Sequence, residues 1–317
     1  MTAVVEARGL VKTYGEITAV DNVDLTVEPG DVYGYLGPNG AGKTTSLRML
    51  LGLIRPSAGS ARLFGRDPMI DGVRALEGVA GFVEAPRFYP YLSGRKNLEL
   101  VAALDGGDAR SQIDAALDTV DLVGRAKDRV GGYSHGMRQR LGIAGALIRR
   151  PRLLLLDEPA TGLDPAGMRD MRALIRALAE SGITVLLSSH LMNEVEELCN
   201  RVAIIRAGRI VYEGRLDELR ASAAGSYSLR TSDDTAAAQI CGGYPGIREL
   251  VVLPDGLRMR ADEATIEGLT LELARSGIAL RALVPDAASL EERFFALTED
   301  PAPGGTPRAL PELERVA

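Results

Sequence analysis

The stretch that decides the fold is Gly37-Pro-Asn-Gly-Ala-Gly-Lys-Thr44, which fits the pattern G-x-x-x-x-G-K-[ST]. Residues 31–36 before it read as a strand, and residues 44–53 after it read as a helix. In that position the glycines let backbone N–H groups point into one concavity, and the start of the helix adds positive potential. The pattern predicts a site for a chain of phosphates. The alternative is a glycine-rich turn with an exposed lysine.

Within this loop, Lys43 is expected to reach the β- and γ-phosphates of a nucleotide, and Thr44 is expected to offer its hydroxyl to Mg²⁺. Lysine is rare in this chain, since only four of its 37 basic residues are lysines. The predicted nucleotide-binding residues of the loop are Gly37, Pro38, Asn39, Gly40, Ala41, Gly42, Lys43, Thr44 and Thr45.

The composition limits the class of protein. A chain of 317 residues with 46% hydrophobic residues has room for two globular domains, which excludes a disordered protein. Its net charge of −6 argues against nucleic acid as a partner. The apolar runs, such as residues 153–156, are far shorter than the ~20 residues of a membrane helix. The N-terminus does not resemble a secretory signal, and the two cysteines form no C-x-x-C pair, so we expect a cytoplasmic protein without a disulfide framework or zinc site.

Over residues 1–220, short β-like runs alternate with helical ones, which predicts an α/β domain. Residues 153–156 and 184–188 are unbroken β-prone runs, as expected for strands that are covered on both faces. Residues 168–179 between them have the spacing of an amphipathic helix. Residues 93–149 contain no convincing strand and indicate a helical insertion.

A second pattern follows a small, flexible stretch at 221–225, which we interpret as a linker. Its predicted order, βαββαβ, fits a small ferredoxin-like unit over residues 226–298. The Pro/Gly-rich residues 299–317 are expected to be disordered. The predicted strands are 226–230, 249–253, 257–261 and 278–284, and the predicted helices are 233–240, 263–275 and 288–297.

Two carboxylates, Asp157 and Glu158, follow the buried run 153–156. They lie at the strand end where ligands bind in parallel α/β sheets. There, Asp157 can support the shell of Mg²⁺ through water, and Glu158 can accept hydrogen bonds from the water that attacks a γ-phosphate. The alternative is an ordinary helix N-cap with acidic neighbours.

With these motifs, residues 4–220 resemble the ATP-binding cassette (ABC) family. Residues 133–139, Tyr-Ser-His-Gly-Met-Arg-Gln, are similar to its signature segment. The resemblance implies that Ser134 and Gly136 cap the γ-phosphate of ATP held by the opposite subunit of a homodimer. It also implies that His190 contacts the γ-phosphate and orients water, and that Tyr14 stacks on adenine. Taken alone, Tyr14 and His190 would be a packed aromatic and a structural histidine.

The sequence departs from the family pattern at Glu84, which occupies the position of a glutamine that senses Mg²⁺. A carboxylate can still accept a hydrogen bond from metal-bound water, so we keep Glu84 as a metal and catalytic candidate. Glu84, Met137 and the Tyr133-Ser134 opening resemble the subgroup of bacitracin and drug exporters. His135 stands where glycine is usual.

The resemblance implies an ABC ATPase domain with a helical subdomain at about 85–150, followed by a small α+β accessory domain. It implies an ATPase that uses ATP and Mg²⁺, with Lys43, Glu84, Glu158 and His190 as catalytic residues. The expected partners are a second copy and separate transmembrane permease subunits, bound at residues 88–97 on the inner face of the cell membrane. The expected cargo is a drug, an antibiotic or a lipid-like compound. The alternatives are a local hydrophobic cluster at 88–97, a soluble ABC ATPase of translation or repair, and a regulatory cassette.

Overall fold

A computed structural model describes residues 3–104, 108–223 and 225–285. No helix among these residues is long and apolar enough to cross a membrane. The strands are β1 Val5–Tyr14, β2 Ile17–Val27, β3 Val32–Leu36, β4 Ala58–Leu63, β5 Val79–Phe82, β6 Leu153–Asp157, β7 Thr184–Ser189, β8 Arg201–Arg206, β9 Arg209–Arg215, β10 Ser226–Thr231, β11 Arg248–Leu253, β12 Gly256–Arg260 and β13 Leu280–Pro285. The helices are α1 Lys43–Leu50, α2 Pro68–Asp71, α3 Gly94–Leu104, α4 Ile113–Thr119, α5 His135–Leu147, α6 Pro165–Glu180, α7 Met192–Leu198, α8 Leu216–Ala223, α9 Asp234–Gly243 and α10 Glu263–Arg275.

The largest sheet has six strands in the order β5-β6-β7-β3-β8-β9. The first five are parallel, and β9 pairs antiparallel with β8. β6 and β7 are buried along their whole length, which explains why their sequences do not alternate between apolar residues and exposed polar ones. The carboxyl ends of β3, β6 and β7 meet at one edge of this sheet, where the phosphate loop follows β3, Asp157 ends β6 and His190 follows β7.

Both faces of the six-stranded sheet carry a hydrophobic core. Leu154 and Leu156 of β6 belong to one core cluster, whereas Leu153 and Leu155 belong to the other. Alternate side chains of a strand point to opposite faces, so each face of the sheet is packed independently. The second cluster extends to the three-stranded antiparallel sheet, which has the order β2-β1-β4.

The stretch predicted to be helical, 93–149, contains α3, α4 and α5 within its described residues. Its β-pairing there is one isolated bridge between Ser93 and Arg129. α5 also contacts β5, which lies at the edge of the large sheet. The start of α5 is therefore carried by a helical region that packs on the sheet bearing the site.

The predicted linker at 221–225 was wrong in part, because α8 continues through Ala223. Alanine, leucine and arginine favour helix, and this preference outweighs the small size of the side chains. Beyond it, β10 to β13 form a four-stranded antiparallel sheet in the order β11-β12-β10-β13, with α9 and α10 packed on it. The predicted helix at 288–297 and the tail at 299–317 lie outside the described residues.

Candidate active site

The phosphate loop connects β3 to α1, as the sequence predicted. A side chain cannot be added at two of its glycines, because a Cβ at Gly37 would lie 2.5 Å from the carbonyl oxygen of Ile205, and one at Gly42 would lie 2.5 Å from that of Ala19. Gly42 also has φ +108° and precedes the first turn of α1. A left-handed glycine immediately before a helix turns the free N–H groups of that helix toward the loop, which suits an anionic ligand. Asn39 and Gly40 are exposed at the loop surface, and Thr45 is half-buried.

Lys43 is buried inside this loop, with 6% of its surface exposed. Its Nζ donates to the carbonyl oxygens of Gly37 and Pro38 at 2.6 and 3.2 Å. The same nitrogen lies 3.1 Å from Oε1 of Glu158. A buried ammonium needs this number of acceptors, and their positions aim Lys43 across the loop at the end of β6.

Asp157 and Thr44, two of the three predicted Mg²⁺ residues, are brought together. Thr44 Oγ1 donates to Asp157 Oδ2 at 2.9 Å. Ser188 Oγ donates to the other oxygen, Oδ1, at 2.5 Å. It also accepts a hydrogen bond from the N–H of Glu158 at 3.0 Å. Sequence reasoning missed Ser188, although a polar residue at the end of a buried strand beside an acidic one is a usable signal.

Glu158 is the centre of the site. Its Oε2 lies 2.6 Å from Nδ1 of His190 and accepts from Thr161 Oγ1 at 2.8 Å, while its Oε1 faces Lys43. Burial acts to raise the pKa of Glu158, but the hydrogen bonds from Thr161 and His190 and the charge of Lys43 outweigh it, so the pKa lies below its usual range. Glu158 also has φ +51°, a backbone conformation that non-glycine residues adopt rarely. The carboxylate is therefore charged, and it is held by three side chains.

The carboxylate of Glu84 does not join this cluster. Its Oε1 pairs with the guanidinium of Arg48 at 2.6 Å, and 58% of its side chain is exposed. Only the backbone of Glu84 reaches the site, where its N–H donates to Asp157 Oδ2 at 3.2 Å. This arrangement differs from the expected metal-facing carboxylate, because the charge of Arg48 on α1 attracts the side chain to the surface.

The signature segment lies at the start of α5. Ser134 is the N-cap, and its side chain accepts from the N–H of Met137 at 3.2 Å. Ser134 is exposed and Gly136 is half-buried, so both stand at a surface rather than in the cluster around Glu158. The Nε2 of His135 lies 3.0 Å from the carbonyl oxygen of Thr161.

Tyr14 ends β1 with 49% of its surface exposed. The Nζ of Lys12 lies 5.0 Å from the centre of its ring and also donates to the carbonyl oxygen of Arg55 at 2.8 Å. An exposed aromatic ring is available for stacking, and a cation–π contact limits how it can turn. The sequence did not single out Lys12 for this contact.

A second carboxylate lies behind the His190 loop. Glu194 is buried, and its Oε2 accepts from Ser189 Oγ at 2.5 Å, whereas its Oε1 is buried without a hydrogen-bond partner among the described residues. Burial, and then the nearby charge of Glu158, raise the pKa of Glu194 above its usual range. This residue escaped sequence reasoning, since it reads as one more acidic residue on a helix.

The comparisons with known proteins agree with this geometry. The sequence model of the family described as ABC transporter matches residues 20–161. The bacitracin transport ATP-binding protein BcrA of Bacillus licheniformis is 38% identical over 94% of this chain and 98% of BcrA. The daunorubicin/doxorubicin resistance ATP-binding protein DrrA of Streptomyces peucetius is 38% identical over 100% of this chain and 98% of DrrA. This chain belongs to the ABC transporter ATP-binding proteins.

Solved structures of ABC cassettes show the same fold. An ATP-binding subunit of an ABC transporter is 27% identical, with a TM-score of 0.62 over 70% of this chain and 93% of that one. An ATP-binding cassette solved as a dimer, in a post-hydrolysis state with ADP and Pi, is 26% identical, with a TM-score of 0.60 over 67% of this chain and 98% of that one. The predicted α/β fold of an ABC ATPase is confirmed, and as a member of this family the chain binds and hydrolyses ATP.

Proposed function

We propose that this ABC protein is the ATP-hydrolysing subunit of an exporter, in which two copies close around ATP and move separate permease subunits. The observation that carries the proposal is the position of Glu158, held between Lys43, Thr161 and His190. A charged carboxylate fixed on three sides can accept a proton or hydrogen bond from one water molecule in a defined direction. Lys43 and His190 then lie on either side of that water and face the γ-phosphate. The ammonium of Lys43 and the N–H group of His190 stabilise the negative charge that develops on the phosphate oxygens.

We assign Thr44 and Asp157 as the residues that hold Mg²⁺. Hydroxyl and carboxylate oxygens are the ligands that this ion prefers, and it keeps several waters, so two protein groups and the phosphates suffice. The donor set fits, since the Thr44 hydroxyl and the Asp157 carboxylate already touch each other at the end of β6. Bound there, Mg²⁺ would neutralise charge on the phosphates. The carboxylate of Glu84, the third candidate, would have to leave its ion pair with Arg48 to reach this ion.

The homodimer is proposed from the position of the signature segment. Ser134 and Gly136 lie at the surface, whereas Lys43 is buried in the phosphate loop. The N–H groups at the start of α5 and the Ser134 hydroxyl are donors that suit a phosphate. In a dimer, the second copy would bring the γ-phosphate of its own ATP to these donors. Tyr14 would stack on the adenine of the ATP that is held in the phosphate loop of its own chain.

Export of a drug, an antibiotic or a lipid-like compound is proposed from the relatives, whose names refer to bacitracin transport and daunorubicin resistance. The predicted permease-binding stretch, 88–97, exposes two aromatic residues. Tyr89 and Tyr91 are 53% and 65% exposed, and their ring centres are 5.7 Å apart. Exposed aromatic pairs are typical of protein interfaces, so this surface is assigned to the permease, at the inner face of the membrane.

The domain boundaries are also part of the proposal. We infer an ABC domain over 1–220, with its helical subdomain at about 85–150, and an accessory domain over 226–298. The strand order β11-β12-β10-β13 and the element order βαββαβ support a ferredoxin-like topology for the accessory domain. Its separate hydrophobic core supports a unit that folds around its own residues.

Glu158→Gln tests the catalytic assignment. The amide keeps the size of the side chain but cannot take a proton, so ATP turnover should fall by about 10²- to 10⁴-fold while ATP binding is kept. The variant should then elute as an ATP-bound dimer in size-exclusion chromatography. Glu180→Gln, an exposed glutamate at the end of α6, is the matched control and should hydrolyse ATP like the wild type. Undiminished turnover in Glu158→Gln would remove Glu158 from its role.

The export part is tested separately, on the chain purified from membranes. If a permease co-purifies, drugs, peptide antibiotics and lipids are added to the complex, and stimulation of its ATPase rate identifies the class of cargo. If the wild-type chain hydrolyses ATP but no transmembrane permease co-purifies with it, the exporter assignment is wrong, although the ATPase assignment stands.

A further inference from the structure

A continuous line of hydrogen bonds joins the start of α5 to the catalytic carboxylate of the same chain. His135 Nε2 lies 3.0 Å from the carbonyl oxygen of Thr161. Thr161 Oγ1 donates to Glu158 Oε2 at 2.8 Å, and the same oxygen lies 2.6 Å from His190 Nδ1. Thr161 and His190 therefore meet at one oxygen atom of Glu158, and His135 is linked to that oxygen through Thr161.

The contact defines which nitrogen of His135 carries a proton. A carbonyl oxygen can only accept, so Nε2 must be the donor. This is possible both for the neutral ring with its proton on Nε2 and for the charged ring, so the contact does not depend on a change of protonation. Glycine, the usual residue at this position in the family, has no side chain that could make it.

Thr161 is held at both of its ends. Its N–H donates to the carbonyl oxygen of Glu158 at 3.2 Å, which closes a turn, and its carbonyl faces His135. The next residue, Gly162, has φ +77°, and a Cβ added to it would lie 3.5 Å from Nε2 of His135. A left-handed glycine makes this loop easy to deform, so a donor from outside the loop can determine where the Thr161 hydroxyl points.

We propose that His135 is a positioning residue that couples the two ATP sites of the dimer. The proposal rests on the proposed function, in which Ser134 and Gly136 contact the ATP of the opposite subunit while Glu158 acts on the ATP of its own. Movement of the signature segment onto the opposite ATP then shifts His135 and Thr161, and with them the oxygen of Glu158 that orients water. Binding at one site is in this way communicated to hydrolysis at the other.

The chain offers a matched pair of variants. His135→Gln places an amide N–H₂ near the position of Nε2 and can still donate to Thr161, whereas His135→Leu has similar bulk and no donor. Both residues are good helix formers, so α5 should begin normally in each. Thermal unfolding by circular dichroism, measured first, shows that both variants fold.

The experiment measures ATPase rate against ATP concentration for the full chain, with kcat, KM and the Hill coefficient as readouts. The wild type should give a Hill coefficient above 1. His135→Leu should bring it to about 1 and lower kcat by about 2- to 10-fold, the effect of one lost neutral hydrogen bond, with KM little changed. His135→Gln should restore the Hill coefficient. If His135 had a purely structural role, the two variants could differ in stability, but the Hill coefficient would not differ between His135→Leu and His135→Gln.

A Hill coefficient that is the same in the wild type and in His135→Leu would overturn the coupling. So would equal behaviour of the Leu and Gln variants. These failures are distinct from failure of the proposed function, since Glu158→Gln is measured in the same assay: if it stays inactive while His135→Leu matches the wild type, only the role of His135 is wrong.

Discussion

Ser188→Ala removes a residue that no motif identified but that holds both acidic residues of the site. Ser188 Oγ donates to Asp157 Oδ1 and accepts from the N–H of Glu158. In the variant, the N–H of Glu158 keeps a second acceptor, the backbone carbonyl oxygen of residue 188, so it loses only one of its two hydrogen bonds. Asp157 keeps Thr44 on its other oxygen but loses the only hydroxyl described on Oδ1. The main cost is therefore one buried hydrogen bond to a charged group.

Such a hydrogen bond contributes about 1.5–3 kcal/mol to the free energy of unfolding. A loss of about 2 kcal/mol lowers the unfolding temperature of a domain of about 200 residues by about 4–8 °C. The freed carboxylate should also hold Mg²⁺ less well. If about 1 kcal/mol of this loss appears in metal binding, the Mg²⁺ concentration for half-maximal ATPase rate rises about fivefold.

Ser189→Ala is the control, because Ser189 is the next residue of β7, is equally buried and also donates to a carboxylate, that of Glu194. Both variants should lose stability in thermal unfolding. Only Ser188→Ala should need more Mg²⁺ in an ATPase titration. An unchanged unfolding temperature in Ser188→Ala would contradict the hydrogen-bond argument, and an identical Mg²⁺ dependence in the two variants would show that Ser188 does not position Asp157.

Two further substitutions separate surface from buried carboxylates. Glu84→Gln breaks an exposed ion pair with Arg48, so the free energy of unfolding should change by less than about 1 kcal/mol. The ATPase rate should change more than the ATP affinity. Equal ATPase rates in the variant and the wild type would show that the departure from the family glutamine is neutral. Because the folded-state pKa of Glu194 is raised, its contribution to the stability of the wild type falls as pH rises from about 4.5 through that pKa, a change that Glu194→Gln does not have. The stability advantage of Glu194→Gln in urea unfolding should therefore grow with pH over this interval, and a constant difference would contradict it.

The phosphate loop and the strands β3, β6 and β7 were predictable because their signals are local. The signal for the loop is a glycine pattern between a strand and a helix, and the signal for each strand is a short apolar or β-prone run. Each of these stretches has about eight residues or fewer and can be interpreted without knowledge of the rest of the chain. The position of Asp157 and Glu158 at the end of β6 was also predictable, because parallel strands end at one edge of a sheet, where ligands bind; their roles in catalysis and metal binding stay predictions.

The contacts around these residues were not predictable, because they join side chains from different elements. Ser188 reaches Asp157 across neighbouring strands, 31 positions apart, and Arg48 draws Glu84 out of the site from 36 positions away. Neither pair has a spacing rule in sequence. The linker at 221–225 shows the reverse error, since small residues were read as flexible where the chain continues as helix to Ala223.

In a chain that contains only four lysines, the contacts of Lys43 explain why a lysine stands at this position. Its Nζ has acceptors on Gly37, Pro38 and Glu158 within 3.2 Å, which matches the three N–H bonds of an ammonium but not the flat fork of a guanidinium. The charge of Lys43 also helps to lower the pKa of Glu158. In the proposed function the γ-phosphate competes with Glu158 for this ammonium. A carboxylate that loses its cationic partner regains basicity, so arrival of ATP would strengthen Glu158 as a base at the moment when its water is needed.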